Sequence, residues 1–499
     1  MLGTCRTLDP LGRVPKYSNK LLEHAGVYMR RRLLLQQSEI GAESLRESSS
    51  HLPLRPVSSC PAIKLFNNRA STASAYLPRR PTTTCTRQNQ RTTCFTLLFS
   101  CAFSRRRPRL ISTACASSSL AEDLRIMAPT VLHLRHEEKP LEHRSALTPT
   151  TAKALLDAGY TVNVEKSPAR IFDDEEFASV GCSLVPTGSW PEAPADHIII
   201  GLKELPEEEF PLKHVHVQFA HCYKGQAGWE TVLGRFPRQG GTLLDLEFLQ
   251  DPATGRRVAA FGYSAGFSGS ALALKNWAWQ QTHPAGEPLP GVESYPNESA
   301  LISDIKADLE AARAKTGRLP RVIVIGALGR CGRGAVDMCL KASIPDEQII
   351  KWDMAETAKG GPFKEIHESD IFVNCIYLAS KIPHFVNLES LKEPGRKLTV
   401  VCDVSADTTN PNNLVPIYTI ATTFKEPTVP VEGLEGPPLS VISIDHLPSL
   451  LPRESSEAFS NDLLPYLLKL NDWRNDPVWA GAKKLFDEKV ATLPKSILN

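Results

Sequence analysis

Residues 321–334 read RVIVIGALGRCGRG. An apolar, β-branched run breaks into glycines at 326, 329, 332 and 334, and AVDMC then continues as a helix. A strand feeding a glycine turn that opens a helix is the context a dinucleotide fingerprint requires. Glycine lets the backbone turn tightly and approach a pyrophosphate, and the helix N-terminus offers unpaired N–H groups to its charge. The spacing is G-x-x-G-x-x-G rather than the commoner G-x-G-x-x-G, so taken alone it also fits an ordinary strand–helix turn. The next strand, QIIKWD, ends in Asp353. A carboxylate there can bind both ribose hydroxyls and repels a 2′-phosphate, which selects NAD over NADP. Strand, glycines, helix and acid together set the class as α/β, with Gly326, Gly329, Arg330, Cys331 and Asp353 as candidate cofactor residues.

Working outward, the same alternation appears on both sides. From Thr130, TVLHLR, TVNVEK, SLVP, HIIIGLK, HVHVQFA and TLLDLEFL are strands. Between the first two, TPTTAKALLDAG offers Thr148 as N-cap, Pro149 at the first helical position and Gly159 as C-cap. A second series opens with the long helix FGYSAGFSGSALALKNWAWQQTH and the helix SALISDIKADLEAARAK. The strands RVIVIGAL, QIIKWD, DIFVNCIY, KLTVVCDVS and LSVISIDHL follow, nearly continuous apolar runs suited to sheets buried on both faces. The final SSEAFSNDLLPYLLKL is an amphipathic helix. Strands alternating with helices argue for parallel sheets. The expectation is therefore two Rossmann-like open parallel-sheet domains with an interdomain cleft. Residues 127–260 plus 459–499 form a catalytic domain, and 261–458 form an NAD-binding domain.

The first 126 residues differ in kind. They hold 20 Lys and Arg against 7 Asp and Glu, whereas the rest of the 499-residue chain holds 37 against 48. Rich in Arg, Ser, Thr and Pro, with no sustained apolar period, they are expected to be a largely disordered basic extension. Three explanations compete: an annotated start upstream of the working one at Met127, an organelle-targeting segment, and a nucleic-acid tail. The last lacks aromatics interleaved with its charges. The first is preferred, with targeting next. No membrane span is expected, because the most apolar stretch, TCFTLLFSCAF, is too short. Six cysteines (182, 222, 331, 339, 375 and 402) follow residue 126 without CxxC pairing or zinc-ligand spacing, so free thiols and no metal are expected.

Ligands of open parallel sheets bind outside the carboxyl ends of the strands. The polar residues ending these strands are Lys203 and Glu204, His221, Glu247, Tyr377, and then Asp403, Ser405 and Asp407. Each alone has an ordinary explanation, a solvated charge or a structural histidine; their shared placement is the signal. A lysine leaving an apolar strand into a closed cleft loses hydration, so its pKa falls towards neutrality, where a histidine already titrates. Lys203 and His221 are therefore the candidate acid–base pair, with Glu204 and Glu247 as tuning groups. Two charged loops complete the set. LRHEEKPLEHRSALTP carries Arg135, Lys139 and Arg144 with Glu138 and Glu142, and TGRRVAAFG carries Arg256 and Arg257. Arginine grips carboxylates with two prongs, which would suit a substrate bearing several of them.

These segments carry a resemblance. LHLR…KPLEHRSALTPTT, IIIGLKE, QFAHCYKGQAGW, GRRVAAFG, IGALGRCG, KWD, NCIYL, DVSADTTNP and SVISIDHLPSLLPRE, in this order, resemble the NAD-dependent, lysine-forming saccharopine dehydrogenases from about Ala128 to Lys483. The resemblance implies two Rossmann-like domains, a monomer, and conversion of saccharopine, NAD and water to L-lysine, 2-oxoglutarate and NADH. It implies Lys203 as acceptor of the proton on the substrate's secondary amine and His221 as acid–base in imine hydrolysis. Hydride leaves carbon only when the adjacent nitrogen has a lone pair to donate, so a base must act first. Substrate contacts are implied at Lys139, Arg144, Gln226, Arg257, Phe261, Ser405, Ala406 and Asp407. Cofactor contacts are implied at Arg256, the glycine loop, Asp353, Thr357, Tyr377, Val404, Ile444, Asp445, His446 and Leu447. The family can also pair the cysteines at positions 331 and 375.

Three features depart from the family pattern: Arg333 in place of a small residue, a C-terminal PKSILN lacking a peroxisomal tripeptide, and the basic extension. A cytoplasmic enzyme is expected, with small-molecule partners and no nucleic acid. The rival readings are an amino-acid dehydrogenase of alanine-dehydrogenase type and a catalytically inactive nucleotide-binding regulator.

Overall fold

The computed structural model describes residues 129–498 except 207, 209, 226, 227, 379, 407, 409 and 411. The expectations for residues 1–126, for Gln226 and for Asp407 lie outside the described residues.

Two six-stranded sheets organise the chain. The first holds β1 (Val131–Leu134), β2 (Thr161–Glu165), β3 (Ser183–Val185), β4 (Ile198–Ile200), β5 (Val215–Gln218) and β6 (Thr242–Asp245). Their order is β3-β2-β1-β4-β5-β6, with every pair parallel. The second holds β7 (Val322–Ile325), β8 (Ile349–Trp352), β9 (Ile371–Asn374), β10 (Val400–Asp403), β11 (Val429–Pro430) and β12 (Ser440–Ile442), in the order β11-β12-β10-β9-β7-β8. Only β11 runs antiparallel, a two-residue edge strand too short to show in the sequence. Strand order reverses between β1 and β4 in one sheet and between β7 and β9 in the other, and such reversals open the crevices where α/β sheets take ligands.

Residues of one strand alternate between two cores, as a sheet covered on both faces requires. Val322 and Val324 pack into one, Ile323 and Ile325 into the other. The longer helices are α1 (Pro149–Asp157), α2 (Gly262–Thr282), α3 (Glu298–Thr316), α4 (Arg330–Lys341), α5 (Pro452–Leu467) and α6 (Pro477–Val490). Thr148 caps α1 as the sequence suggests, but Ala158 is the C-cap and Gly159, at φ +91°, is the left-handed residue that follows it. Helices α2 and α4 touch backbone to backbone: a Cβ on Gly266 would lie 1.9 Å from the Cys331 carbonyl oxygen, and one on Gly334 would lie 2.0 Å from that of Tyr263. Phe459, Leu463 and Leu467 of α5 and Trp479 of α6 share a core with Leu132, Leu134, Val162 and Val164, so the chain's end returns to the first sheet.

The apolar runs HIIIGLK and HVHVQFA outlast their strands. The strands end at Ile200 and Gln218, with backbone bonds from Gly201 N to Val217 O and from Phe219 N to Leu202 O just beyond, both at 3.0 Å, and Leu202, Phe219 and Ala220 stay buried. Hydrophobicity marked buried chain that outlasts the regular strands, so Lys203 and His221 stand on loops three residues past them. Among the described residues no helix is long and apolar enough to cross a membrane.

Candidate active site

Loops from the carboxyl ends of both sheets meet. Lys139, after β1, places its Nζ 3.2 Å from Glu204 Oε1 and 2.7 Å from Asp445 Oδ2, and Asp445 follows β12. Asp445 also accepts from His446 Nδ1 at 2.5 Å. On the same rim the Lys224 ammonium lies 5.5 Å from the Tyr377 ring centroid, a second contact between the loops of the two sheets.

Lys203 and His221 belong to this cluster. Lys203 is only 7% exposed, and among the described residues its ammonium donates no hydrogen bond. Burial lowers its pKa and the charges of Arg144 and Lys139 lower it further, against the raising effect of Glu204 and Asp445. His221 sits at φ +52°, a left-handed conformation that costs a non-glycine residue energy and that clusters at functional sites. Its Nε2 is 4.0 Å from Glu204 Oε2. The ring is 46% open to the crevice, yet desolvation by the surrounding walls and the Lys203 charge depress its basicity. Glu204 touches both bases electrostatically. Burial alone would raise its pKa, but the charges of Lys203, Lys139 and His221 hold it low. The cluster thus contains two bases biased towards neutrality and two carboxylates held ionised.

The arginines divide by role. Arg144, 4% exposed, gives Nε and Nη2 to Glu142 at 2.8 and 2.6 Å, and its guanidinium lies 4.4 Å from the Phe261 ring centroid. Glu142 also accepts from Ser449 Oγ at 2.7 Å. Burial would raise the Glu142 pKa; Arg144, Ser449 and the Lys203 charge bring it to about 2 instead. Phe261 stacks on Phe459 with centroids 4.3 Å apart. Arg257 is 3.4 Å from Glu247, which Lys224 also binds at 2.6 Å. Arg256 is exposed, and no described residue bonds its guanidinium. Arg135, read in the sequence with the carboxylate-binding loop, instead points inward at 1% exposure and donates to the Lys203 carbonyl, so it is not open to a substrate.

On the second sheet, Gly326 ends β7 at φ +90°, and a Cβ there would lie 2.8 Å from Ile376 Cδ1. Gly329 is the N-cap of α4, and both it and Arg330 are exposed. Asp353 caps the next helical turn and accepts from the Leu328 amide at 3.0 Å, tying the acid to the glycine loop. Thr357 Oγ1 donates to the Asp353 carbonyl at 2.9 Å, and Tyr377 is half exposed. Cradle, helix start and acid fit a dinucleotide whose ribose carries no phosphate. Asp403 accepts from Asn374, Ser405 and Tyr418, which fixes the turn leading to Ala406 at φ +44°. Val404 is half-buried. Ile444 and Leu447 are each 1% exposed, so their side chains are spent on the core and His446 is nearly as buried. Arg333 points to solvent and does not crowd the helix start. Cys331 and Cys375 are free thiols; the hydrogen bond between them, then burial, raises the Cys375 pKa.

Sequence reasoning missed Glu137 and Asp245, two buried carboxylates at the ends of β1 and β6 whose partners are backbone amides. An acid directly after an apolar strand was the available signal.

Residues 133–268 match the family described as alanine dehydrogenase/PNT, N-terminal domain. The chain is 74% identical over 373 residues to a Neurospora crassa protein named saccharopine dehydrogenase [NAD(+), L-lysine-forming], covering 74% of this chain and 100% of that one. The chain belongs to the NAD-dependent, lysine-forming saccharopine dehydrogenase family. The Emericella nidulans member is 64% identical over 375 residues, again 74% of this chain and all of its own. A solved L-alanine dehydrogenase covers 72% of this chain and all of its own at 18% identity and a TM-score of 0.51, a likeness of fold. The saccharopine dehydrogenase family thus shares its two-sheet architecture with alanine dehydrogenase, and about a quarter of the present chain lies outside the match to its relatives.

Proposed function

We propose that this chain oxidises saccharopine with NAD to give L-lysine and 2-oxoglutarate, with Lys203 as base and His221 as acid–base. The observation that carries the assignment is the buried Lys203 ammonium, without a hydrogen bond among the described residues, set among Arg144, Lys139, Glu204 and His221. A lysine so desolvated and flanked by cations gives up its proton more readily than one in water, and as a free base it can take the proton from the substrate's secondary amine. When bound, the nicotinamide supplies the hydride acceptor. Gly326, the Gly329–Arg330 helix start, Asp353, Thr357 and Tyr377 are the residues that would hold NAD. His221 then deprotonates the water that adds to the substrate's iminium carbon and returns a proton to the departing amine nitrogen. Glu204 opposes the nearby cations and raises the proton affinity of both bases, which limits how far burial depresses it. Arg144 keeps Nη1 for a substrate carboxylate, since Glu142 occupies its other edge. Loops from both sheets would exclude bulk water around these groups.

The small-molecule substrates are the partners; a monomer, working in the cytoplasm, is the simplest assembly for such a site. The division at residues 260 and 459 is likewise proposed, with α5 and α6 completing the catalytic domain. The test is NADH oxidation with L-lysine plus 2-oxoglutarate, against pyruvate plus ammonia. Lys203→Met and His221→Gln should each lower turnover by about 10²-fold while NADH still binds. Full activity in both variants overturns the assignment.

A further inference from the structure

We infer that Arg135 and Glu137 form a clamp that positions Lys203 by gripping its backbone from both sides. They are positioning residues for the reaction, acting through the lysine and remote from any substrate.

The geometry is specific. β1 and β4 are neighbouring parallel strands, so Arg135, His136 and Glu137 leave the sheet beside Gly201, Leu202 and Lys203. Gly201 N still donates to Val217 O at 3.0 Å, but the ladder supplies no partner for the two amides after it. Glu137 supplies both, with Oε1 accepting from Leu202 N at 2.6 Å and Oε2 from Lys203 N at 2.9 Å. Arg135 closes the other side. Its Nη2 donates to the Lys203 carbonyl, Nη1 lies 3.3 Å from Glu137 Oε2, and its own amide donates to Ile200 O at 2.9 Å. Both side chains are buried, at 1% and 9% exposure. Gly201 is part of the device, since a Cβ there would fall 2.3 Å from Arg135 Nε.

A lysine on a loop, held among the described residues by no hydrogen bond at its ammonium, needs its main chain fixed if Nζ is to stay in one place. Misplacement of a reacting group by about 1 Å can cost on the order of 10²-fold in rate. A carboxylate on consecutive N–H groups and a guanidinium on the following carbonyl, all dry, are a stiff solution. They also keep the side chain in the crowded pocket that desolvates it. If the loop relaxes, Nζ moves towards water and its proton affinity rises.

The inference rests on the base role of Lys203, which the Lys203→Met variant and the substrate assay test separately. Its own test is Glu137→Gln in the full-length chain, which sets an amide donor against one backbone N–H. We expect kcat/KM for saccharopine to fall by about 10²-fold with NADH affinity unchanged. The limb of the pH profile reporting the base should move to higher pH, the groups facing Lys203 (Arg144, Lys139, Glu142, Glu204, His221 and Asp445) being left intact. Glu137→Asp, which keeps the charge but withdraws it by one methylene, should shift the same way by less, and decides the matter if the glutamine variant does not fold. A folded variant with wild-type kcat/KM overturns the clamp. So does one that loses activity with the pH limb unmoved, since that is what general loosening would produce.

Discussion

Asp245 offers the sharpest test of the electrostatics beneath this site. It ends β6 at 1% exposure, accepting from Ala220 N at 3.2 Å and Glu247 N at 2.8 Å, and so ties down the turns that carry His221 and Glu247. Burial pushes its carboxyl from the ordinary 3.8 up to about 7, despite those two amides. A carboxyl raised in the folded state binds its proton where the unfolded one has lost it. Between roughly pH 4 and pH 7 the native protein therefore holds more protons, and stability falls as pH rises. Below that window both states are protonated, and above it the full cost of an ionised buried carboxylate is present. About three pKa units at ~1.4 kcal/mol each give a swing of roughly 4 kcal/mol. In Asp245→Asn the swing disappears, leaving a pH-independent loss of about 1–3 kcal/mol for the acceptor replaced by an amide donor. Urea unfolding of both proteins at pH 4, 6 and 8 measures the difference. The variant should gain on the wild type by roughly 4 kcal/mol across the series. A difference that stays flat, or grows in the opposite direction, refutes the account of a carboxyl kept neutral by burial.

Other outcomes follow from the same geometry. Glu204→Gln removes a carboxylate that raises the pKa of both Lys203 and His221, so the basic-group limb of kcat/KM for saccharopine should move to lower pH; an unmoved profile would place Glu204 outside the pocket's field. Phe459→Ala opens a cavity at a 1% exposed ring stacked on Phe261 and should cost about 3–5 kcal/mol, read as a lowered Tm, whereas a loss under about 1 kcal/mol would mean the stack is not packed as described. Asp353→Ala frees the Leu328 amide and removes the charge proposed to face the ribose. The preference for NAD over NADP, as a ratio of kcat/KM values, should shrink by about tenfold or more; an unchanged ratio would assign cofactor choice elsewhere.

Much of the architecture is visible along the chain itself. Continuous β-branched runs such as Val322–Ile325 announce strands covered on both faces, and the residues capping α1 show in TPTTAKALLDAG nearly to the residue. The glycine loop and Asp353 mark a candidate nucleotide site because their geometry is local, set within one strand–turn–helix unit. Lys203 and His221 are recognisable as candidates because parallel sheets put function at strand ends, although the strands stop three residues sooner than hydrophobicity suggests.

What stayed hidden is the partnership of charges. Arg135 and Arg144 look alike in LRHEEKPLEHRSALTP, yet one turns inward to hold the Lys203 loop and the other is paired with Glu142 across a dry contact sealed by Ser449. Lys139 and Asp445 are 306 residues apart and 2.7 Å from each other. Ile444 and Leu447 belong to the core rather than to the crevice surface. Periodicity and capping are short-range properties, carried by a few consecutive residues and readable from them. The direction a polar side chain takes at a strand end depends on which distant loops arrive beside it and how thoroughly they exclude water, and that is decided only when the two sheets close on each other.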